Sequence, residues 1–228
     1  APKAPKAIIA PHAGYVYSGP IAGSAFAALA PNAATIRRVV LLGPAHRVPV
    51  RGLALPEAKG FATPLGVLPI DPEMARAVSR LPQVRLQPEA HAAEHSLEVE
   101  IPFLQILLGE VKLLPLVVGE ASGEEVAEVL EQVWGEEETV VVISSDLSHY
   151  LPYDTARRID RETADAILRL EGPIDPQRAC GAFPINGLLL AARRRGLVPS
   201  LLDLRNSGDT AGDRRQVVGY GAFAFHAS

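Results

Sequence analysis

Three short stretches of this chain each place a histidine a few residues after a run of apolar and β-branched residues. The runs and the histidines that follow them are 7–10 with His12, 38–42 with His46, and 139–143 with His149. Such runs, ended by Gly, Pro or polar residues, are typical of buried strands. Loops that leave the carboxyl ends of parallel strands meet in one crevice, so we expect the three histidines to converge. Neutral imidazole is a common ligand of zinc, iron and copper, and the pattern therefore indicates a metal or acid–base site.

Two further side chains are candidates for the same site. Asp146 leaves the same predicted strand as His149, so its carboxylate could fix the imidazole tautomer and make His149 a general acid or base. A loop or helix-capping role for Asp146 explains the sequence equally well. Cys180 precedes a helix predicted to begin near Pro184, and a helix N-terminus lowers the pKa of a thiol and favours the metal-binding thiolate. A small buried apolar role is the alternative for Cys180.

Polar and aromatic side chains near these motifs are candidates for contacts with a substrate. Glu94 and His95 begin a helix predicted over 94–108, in which Pro102 marks either a kink or the true first turn. The other candidates are Tyr15, Arg47 and Tyr150. Packing at the rim of a cleft explains the tyrosines as well as ligand contact does. We expect His91, just before this helix, to be exposed to solvent.

Strands and helices alternate along the chain, which favours an α/β fold, and residues 1–228 show no composition break, so we expect a single domain. Further strands are predicted at 112–118, 201–204 and 216–225. Helices are predicted at 20–30, 122–134, 154–170 and 184–195. Asp71 and Pro72 are typical of a helix start. The Pro- and Gly-rich segment 53–70 indicates a hairpin-like excursion.

Composition excludes several classes of protein. The formal net charge of −4 disfavours nucleic acid and anionic membranes as partners. No apolar run is long enough for a transmembrane helix, and the first residues lack the apolar region of a secretory signal. The single cysteine excludes an internal disulfide and agrees with the cytoplasmic location that we expect. The chain has no phosphate-binding loop, dinucleotide fingerprint or nucleophile elbow.

Six motifs spread over residues 7–225 closely resemble the Memo-like family, whose prokaryotic members are described as AmmeMemoRadiSam system protein B. In chain order they are PHAGYVYSG, LLGPAHR, EHSLEVEIPFLQ, SSDLSHY, CGAFPINGLLLAA and NSGDTAGDRRQVVGYGAFAF. The resemblance implies a LigB-like fold, as in class III extradiol dioxygenases, with a central mixed, mostly parallel sheet and helices on both faces. It also implies His12, His46 and Cys180 as ligands of one metal ion, with His149 as the acid–base residue and Asp146 as the aspartate of the same motif. The family name suggests a functional link to a radical SAM protein.

The implied thiolate departs from the two histidines and one carboxylate that hold Fe(II) in the dioxygenases. Sulfur is softer and oxidisable, which argues against ring cleavage and leaves three functions open. The first, which we favour, is a redox or oxygenase-type enzyme that uses iron(II) or copper. The second is a zinc-dependent hydrolase. The third is a non-catalytic module that binds a small molecule or peptide in the same cleft.

Overall fold

In the computed structural model, residues 4–228 are described, and they form strands and helices in close alternation. The strands are β1 (Ala7–Ala10), β2 (Arg38–Pro44), β3 (Leu53–Leu55), β4 (Gly60–Thr63), β5 (Gly66–Pro69), β6 (Val84–Leu86), β7 (Lys112–Val118), β8 (Thr139–Ser144), β9 (His149–Leu151), β10 (Leu197–Asn206) and β11 (Val217–Ala227). The helices are α1 (Tyr15–Ala27), α2 (Pro72–Val78), α3 (Glu89–Ala92), α4 (Ile101–Leu108), α5 (Gly123–Gln132), α6 (Tyr153–Leu168) and α7 (Ala182–Arg194). None of these helices combines the length and the apolar character needed to cross a membrane.

A nine-stranded mixed sheet forms the centre of the fold, in the order β10-β11-β1-β8-β2-β7-β3-β6, with β9 added to β11. The four central strands, β1, β8, β2 and β7, are mutually parallel. Antiparallel pairing begins at β11 on one side and at β3 on the other. Strands β4 and β5 form a separate hairpin, as the Pro- and Gly-rich segment predicts. The predicted α/β fold with a mixed sheet is confirmed.

Alternate residues of the central strands supply two hydrophobic cores, one on each face of the sheet. On one face, Ile9 and its neighbours pack with apolar residues of α2, α5, α6 and α7. On the other face, Ile8 and its neighbours pack with α1 and α4. Side chains of a strand alternate between faces, and strands covered on both faces therefore read as continuous apolar runs. Because these strands are buried on both faces, their positions can be predicted from the sequence.

The helix predicted over 94–108 is wrong in its first half. Ser96 and Leu97 form a turn, a short 3₁₀ segment covers Glu98–Glu100, and α4 begins only at Ile101, with Pro102 in its first turn. The carboxylate of Glu94 accepts hydrogen bonds from the backbone N–H groups of His95 and Ser96, each at 3.0 Å. A side chain that binds nearby backbone in this way competes with helix formation. Residues 94–100 therefore follow an irregular path beside the sheet.

We predict that Asp71→Ala destabilises the protein more than Ser122→Ala. Both residues cap a helix, as the sequence predicts, but Asp71 is fully buried, accepts two backbone N–H bonds and forms an ion pair with Arg38 at 3.0 Å. Loss of a cap costs about 1 kcal/mol. Loss of the ion pair adds to this, but Arg38 is partly exposed and also pairs with Glu73, so we expect a total of about 2 kcal/mol for Asp71→Ala. Urea unfolding measures both values, and equal losses would show that the ion pair contributes nothing.

Candidate metal centre

The parallel pairing of β1, β8 and β2 brings three loop segments to the same edge of the sheet. His12 follows β1, His46 follows β2, and Asp146 follows β8, the strand between them. The ring centroids of His12 and His46 lie 5.3 Å apart. The two histidines that the sequence places after separate strands are therefore neighbours in space.

His95 joins these two rings from the irregular segment that precedes α4. Its ring centroid lies 5.5 Å from that of His12 and 4.8 Å from that of His46. One ring nitrogen from each of the three histidines lies within 4.8 Å of the others, an arrangement that could hold a metal ion. Histidine nitrogens bind zinc at about 2.0–2.1 Å, so two ligands across an ion are about 4 Å apart or less, and a small inward movement would complete the site. The sequence predicts His95 as a substrate contact, whereas the structure places it within the three-histidine cluster of His12, His46 and His95.

The carboxylate of Glu94 holds one side of this cluster. It lies 2.8 Å from Nδ1 of His46 and accepts the backbone N–H of the same residue at 2.6 Å. The bonds from the backbone of His95 and Ser96 add two more donors. Burial alone would raise the pKa of Glu94, but the hydrogen bonds from His46 and Ser96 outweigh it and bring the pKa to about 2. An ionised Glu94 accepts a proton-bearing Nδ1 and leaves Nε2 of His46 with its lone pair free.

Ser144, the last residue of β8, orients His12. Its hydroxyl lies 2.8 Å from Nδ1 of His12, whose side chain is buried. Burial lowers the pKa of His12 well below its usual value, and the neighbouring His46 and His95 lower it further. His12 is therefore uncharged at neutral pH, the state in which an imidazole binds a cation.

Cys180 lies directly beside the cluster on the side of His12. Its Sγ atom is 3.4 Å from Nε2 of His12 and accepts the backbone N–H of Asp146 at 3.3 Å. This approach requires glycine at the next position, since a Cβ on Gly181 would lie 2.6 Å from Cβ of Ser145. The structure thus brings the thiol within reach of one predicted ligand, although Cys180 is not a member of the three-histidine cluster. Its role as a ligand stays a prediction.

The predicted lowering of the pKa of the Cys180 thiol is wrong for the protein without a bound cation. Burial raises the pKa of Cys180 to about 12, and the negative charge of Asp146 raises it further. Helix α7 begins at Ala182, two residues beyond the thiol, and the effect of its dipole does not offset burial. A thiolate at this position needs a positive charge beside it, such as a bound cation.

Asp146 contacts His12 rather than His149. Its Oδ1 atom accepts the backbone N–H of His12 at 2.8 Å, and its Oδ2 atom lies 4.0 Å from Nε2 of the same residue. Burial raises the pKa of Asp146, although the hydrogen bond from His12 opposes this shift. His149 lies in β9 with an exposed side chain. A positive charge on its ring would lower the pKa of both Asp146 and His12. The orienting role that we predicted for Asp146 is therefore directed at His12.

The remaining candidates for substrate contacts are exposed residues adjacent in sequence to the site motifs. Tyr15 is half exposed and donates its hydroxyl to the carbonyl of Val99 at 3.0 Å, while Arg47 is exposed beside His46. Tyr150 is 68% exposed and adopts φ = 58°, a strained conformation for an aromatic residue. A cavity of about 800 Å³ opens next to the loop that carries His12. Its lining includes Ala13, Tyr17, Tyr150, Ser207, Arg215 and Tyr220.

The prediction that His91 is exposed to solvent is wrong. The side chain is half-buried, and its Nε2 atom lies 2.8 Å from the carbonyl oxygen of Ala54 in β3. His91 therefore ties α3 to an outer strand of the sheet. It is not a member of the three-histidine cluster.

We predict that Asp160→Asn removes a pH-dependent loss of stability near this site. Asp160 of α6 accepts the backbone N–H of Ser148 at 3.0 Å, and burial raises its pKa to about 6. The pKa in an unfolded chain is about 3.9, so stability from this group is complete below about pH 4 and is lost as the pH rises through about 6. Relative to the variant, the unfolding free energy of the wild type should fall by about 2 kcal/mol between pH 4 and pH 7. Urea unfolding at both pH values tests this, and a difference that does not change with pH would contradict it.

Comparison with known proteins identifies the family of this chain. The sequence profile described as "Memo-like protein" matches residues 1–224. A MEMO1 family protein of Archaeoglobus fulgidus is 38% identical over 96% of this chain and 86% of its own length. A MEMO1 family protein of Methanococcoides burtonii is 39% identical over 94% of this chain and 84% of its own length.

One solved structure has a similar fold. The crystal structure of an uncharacterized protein from Escherichia coli K12 superposes with a TM-score of 0.60 over 94% of this chain and 98% of that chain. The two sequences are only 16% identical, so this likeness concerns the fold alone. The profile and the relatives cover nearly all of the sequence at a level that shows common descent, and the chain therefore belongs to the Memo-like protein family.

Proposed function

We propose that the protein is a metal-dependent enzyme of redox or oxygenase type that holds one iron(II) or copper ion at the three-histidine cluster. The observation that carries the proposal is the approach of three ring nitrogens, from His12, His46 and His95, to within 4.8 Å of one another. Cys180 is the proposed additional ligand, because its sulfur lies 3.4 Å from Nε2 of His12. The family resemblance agrees with two of these histidines and with the thiol as ligands.

The donor set fits such an ion. His12 is uncharged, and its Nδ1 and that of His46 are occupied by Ser144 and Glu94, so each ring offers Nε2. Imidazole suits iron, copper and zinc, whereas a sulfur donor favours copper(I) or zinc over hard cations. When bound, iron or copper would supply one-electron chemistry that no amino-acid side chain here provides.

The other groups of the site would bind the substrate and move a proton. His149 is exposed beside the cluster, and an imidazole can both accept and donate a proton through its ring nitrogens, which supports its proposed role as general acid or base. The cavity lined by Tyr17, Tyr150 and Tyr220 is the proposed substrate pocket because it adjoins the loop of His12 and contains polar groups that could orient a small molecule. The buried Asp146 would keep His12 in place through its backbone N–H.

A zinc-dependent hydrolase is the second candidate, and one observation favours it. Three histidine nitrogens without a carboxylate form the ligand set of some catalytic zinc sites, in which bound water has a pKa near 7. In that case His149 would act as the base for a hydrolytic reaction.

The proposed cytoplasmic location is supported by the single cysteine. The proposed functional link to a radical SAM protein is supported by the family resemblance alone.

We predict that the anaerobically purified protein binds one metal ion per chain and that the histidines of the cluster are required for it. His46→Ala and His95→Ala should each weaken zinc binding by more than the roughly 10–100-fold that loss of an outer-sphere partner causes. His91→Ala is the matched control, because His91 contacts Ala54 outside the cluster, and it should leave the affinity unchanged. Elemental analysis and titration with a competing chelator measure both quantities. Wild-type affinity in His95→Ala would remove that residue from the ligand set.

We also predict that Cys180 binds the ion, which a cobalt(II) derivative can test by absorption spectroscopy. Because the chain has a single cysteine, any thiolate-to-metal charge-transfer band must come from Cys180. The band should be present in the wild type and absent in Cys180→Ser. A cobalt-loaded wild type without the band would exclude a thiolate ligand. Iron or copper in the purified protein would favour the redox enzyme, and zinc alone would favour the hydrolase.

A further inference from the structure

A buried hydrogen-bond network lies behind His12, on the side away from the cluster. The hydroxyl oxygen of Ser144 lies 2.8 Å from Nδ1 of His12 and 2.6 Å from the carbonyl oxygen of Ser96. Oε1 of Glu100 is its third neighbour, at 2.8 Å. Ser144, Ser96 and Glu100 are all completely shielded from solvent. One hydroxyl group thus joins a carboxyl group to the imidazole of the proposed metal site.

Counting the hydrogens of this network assigns the donors. Ser144 has a single hydroxyl hydrogen, and the carbonyl of Ser96 can only accept, so that hydrogen points to Ser96. The lone pairs of the Ser144 oxygen must then accept hydrogens from both other neighbours. The imidazole donates from Nδ1, and Glu100 donates only if its carboxyl group is protonated. This arrangement satisfies all three contacts of the hydroxyl group.

The surroundings of Glu100 agree with a neutral carboxyl group. Its Oε2 atom is buried and has no hydrogen-bond partner, a situation that is far more costly for an anion than for an acid. No cation forms an ion pair with Glu100 within the described part of the chain. Burial raises the pKa of Glu100 well above its usual value, and the charge of Asp146 raises it further, whereas the hydrogen bond with Ser144 opposes the shift without cancelling it.

We propose that Glu100 is a positioning residue that acts as a buried carboxylic acid: it donates to Ser144 and thereby holds His12 with its hydrogen on Nδ1 and its Nε2 lone pair facing the cluster. The inference deepens the proposed function, because it explains how one proposed ligand is prepared for a cation. Glu94 holds His46 as an ionised acceptor, whereas Glu100 reaches His12 as a neutral donor through a hydroxyl group. Two glutamates of one segment, one ionised and one neutral, thus fix the same tautomer in two different histidines.

Three variants separate positioning from general stability. Glu100→Gln keeps the shape and a donor in its amide N–H. Glu100→Leu removes the donor, and Ser144→Ala removes the hydroxyl group that contacts the ring. Thermal unfolding followed by circular dichroism establishes that each protein is folded. If Glu100→Leu or Ser144→Ala does not fold, the wild type and Glu100→Gln still decide the question.

Two readouts need no metal. The infrared spectrum of the wild type should contain the C=O stretching band of a buried protonated carboxyl group, and Glu100→Gln should lack it. ¹⁵N nuclear magnetic resonance of labelled histidine should find the hydrogen of His12 on Nδ1 in the wild type and in Glu100→Gln. In Ser144→Ala and Glu100→Leu, a mixture of tautomers is expected. Absence of the infrared band from the wild type, or a hydrogen on Nε2 of its His12, would overturn the proposal.

Zinc affinity, measured by chelator competition, is the third readout. We expect Glu100→Gln to bind zinc like the wild type, and Glu100→Leu and Ser144→Ala to bind it about 10–100-fold more weakly. A loss in Glu100→Gln as large as that in Glu100→Leu would show that an anion is required and would overturn the proposal. If no protein binds zinc, copper or iron while the two spectroscopic results hold, the network stands and the proposed metal function fails.

Discussion

The geometry of the site depends on the hydrogen bonds that the carboxylate of Glu94 accepts. This carboxylate binds both the ring and the backbone of His46, which follows β2, and the backbone of His95 and Ser96, which precede α4. Segments 48 residues apart in sequence are thereby joined at one buried charge. Without this carboxylate, His46 would lose the acceptor of its Nδ1 hydrogen, and the segment of His95 would lose two backbone bonds. The sheet brings the loops to one edge, and Glu94 sets the distance between their rings.

The site combines buried and solvent-accessible groups that have an affinity for cations: His12 is buried, whereas His95 is half-buried and His46 is exposed. Burial and neighbouring imidazoles keep His12 uncharged, and burial keeps the thiol of Cys180 protonated until a positive charge arrives. Two of the rings are held in advance by hydrogen bonds from their far side, so little side-chain freedom is lost when an ion binds. Such preorganisation is typical of binding sites that are formed by the fold before the ligand is present.

The sequence predicts most of the fold and part of the site, because burial of the central strands leaves a clear pattern of apolar residues. Buried parallel strands are continuous apolar runs, so their ends are visible, and His12 and His46 could be placed together from strand ends alone. Local patterns do not show which distant residue a particular loop side chain binds. The sequence predicts a helix at His95, because no local pattern reveals that the Glu94 side chain binds His46 in a distant loop. The error for the thiol pKa of Cys180 has the same origin, since burial is a property of the folded chain.

The central claim is that three imidazoles from separate segments surround one cation. A crystal structure of the metal-loaded protein, with anomalous diffraction measured at the absorption edge of the metal, tests this most directly. The account predicts a single anomalous peak about 2.0–2.2 Å from one nitrogen each of His12, His46 and His95. A fully loaded crystal with its peak elsewhere, or with His95 turned away from the ion, would contradict it.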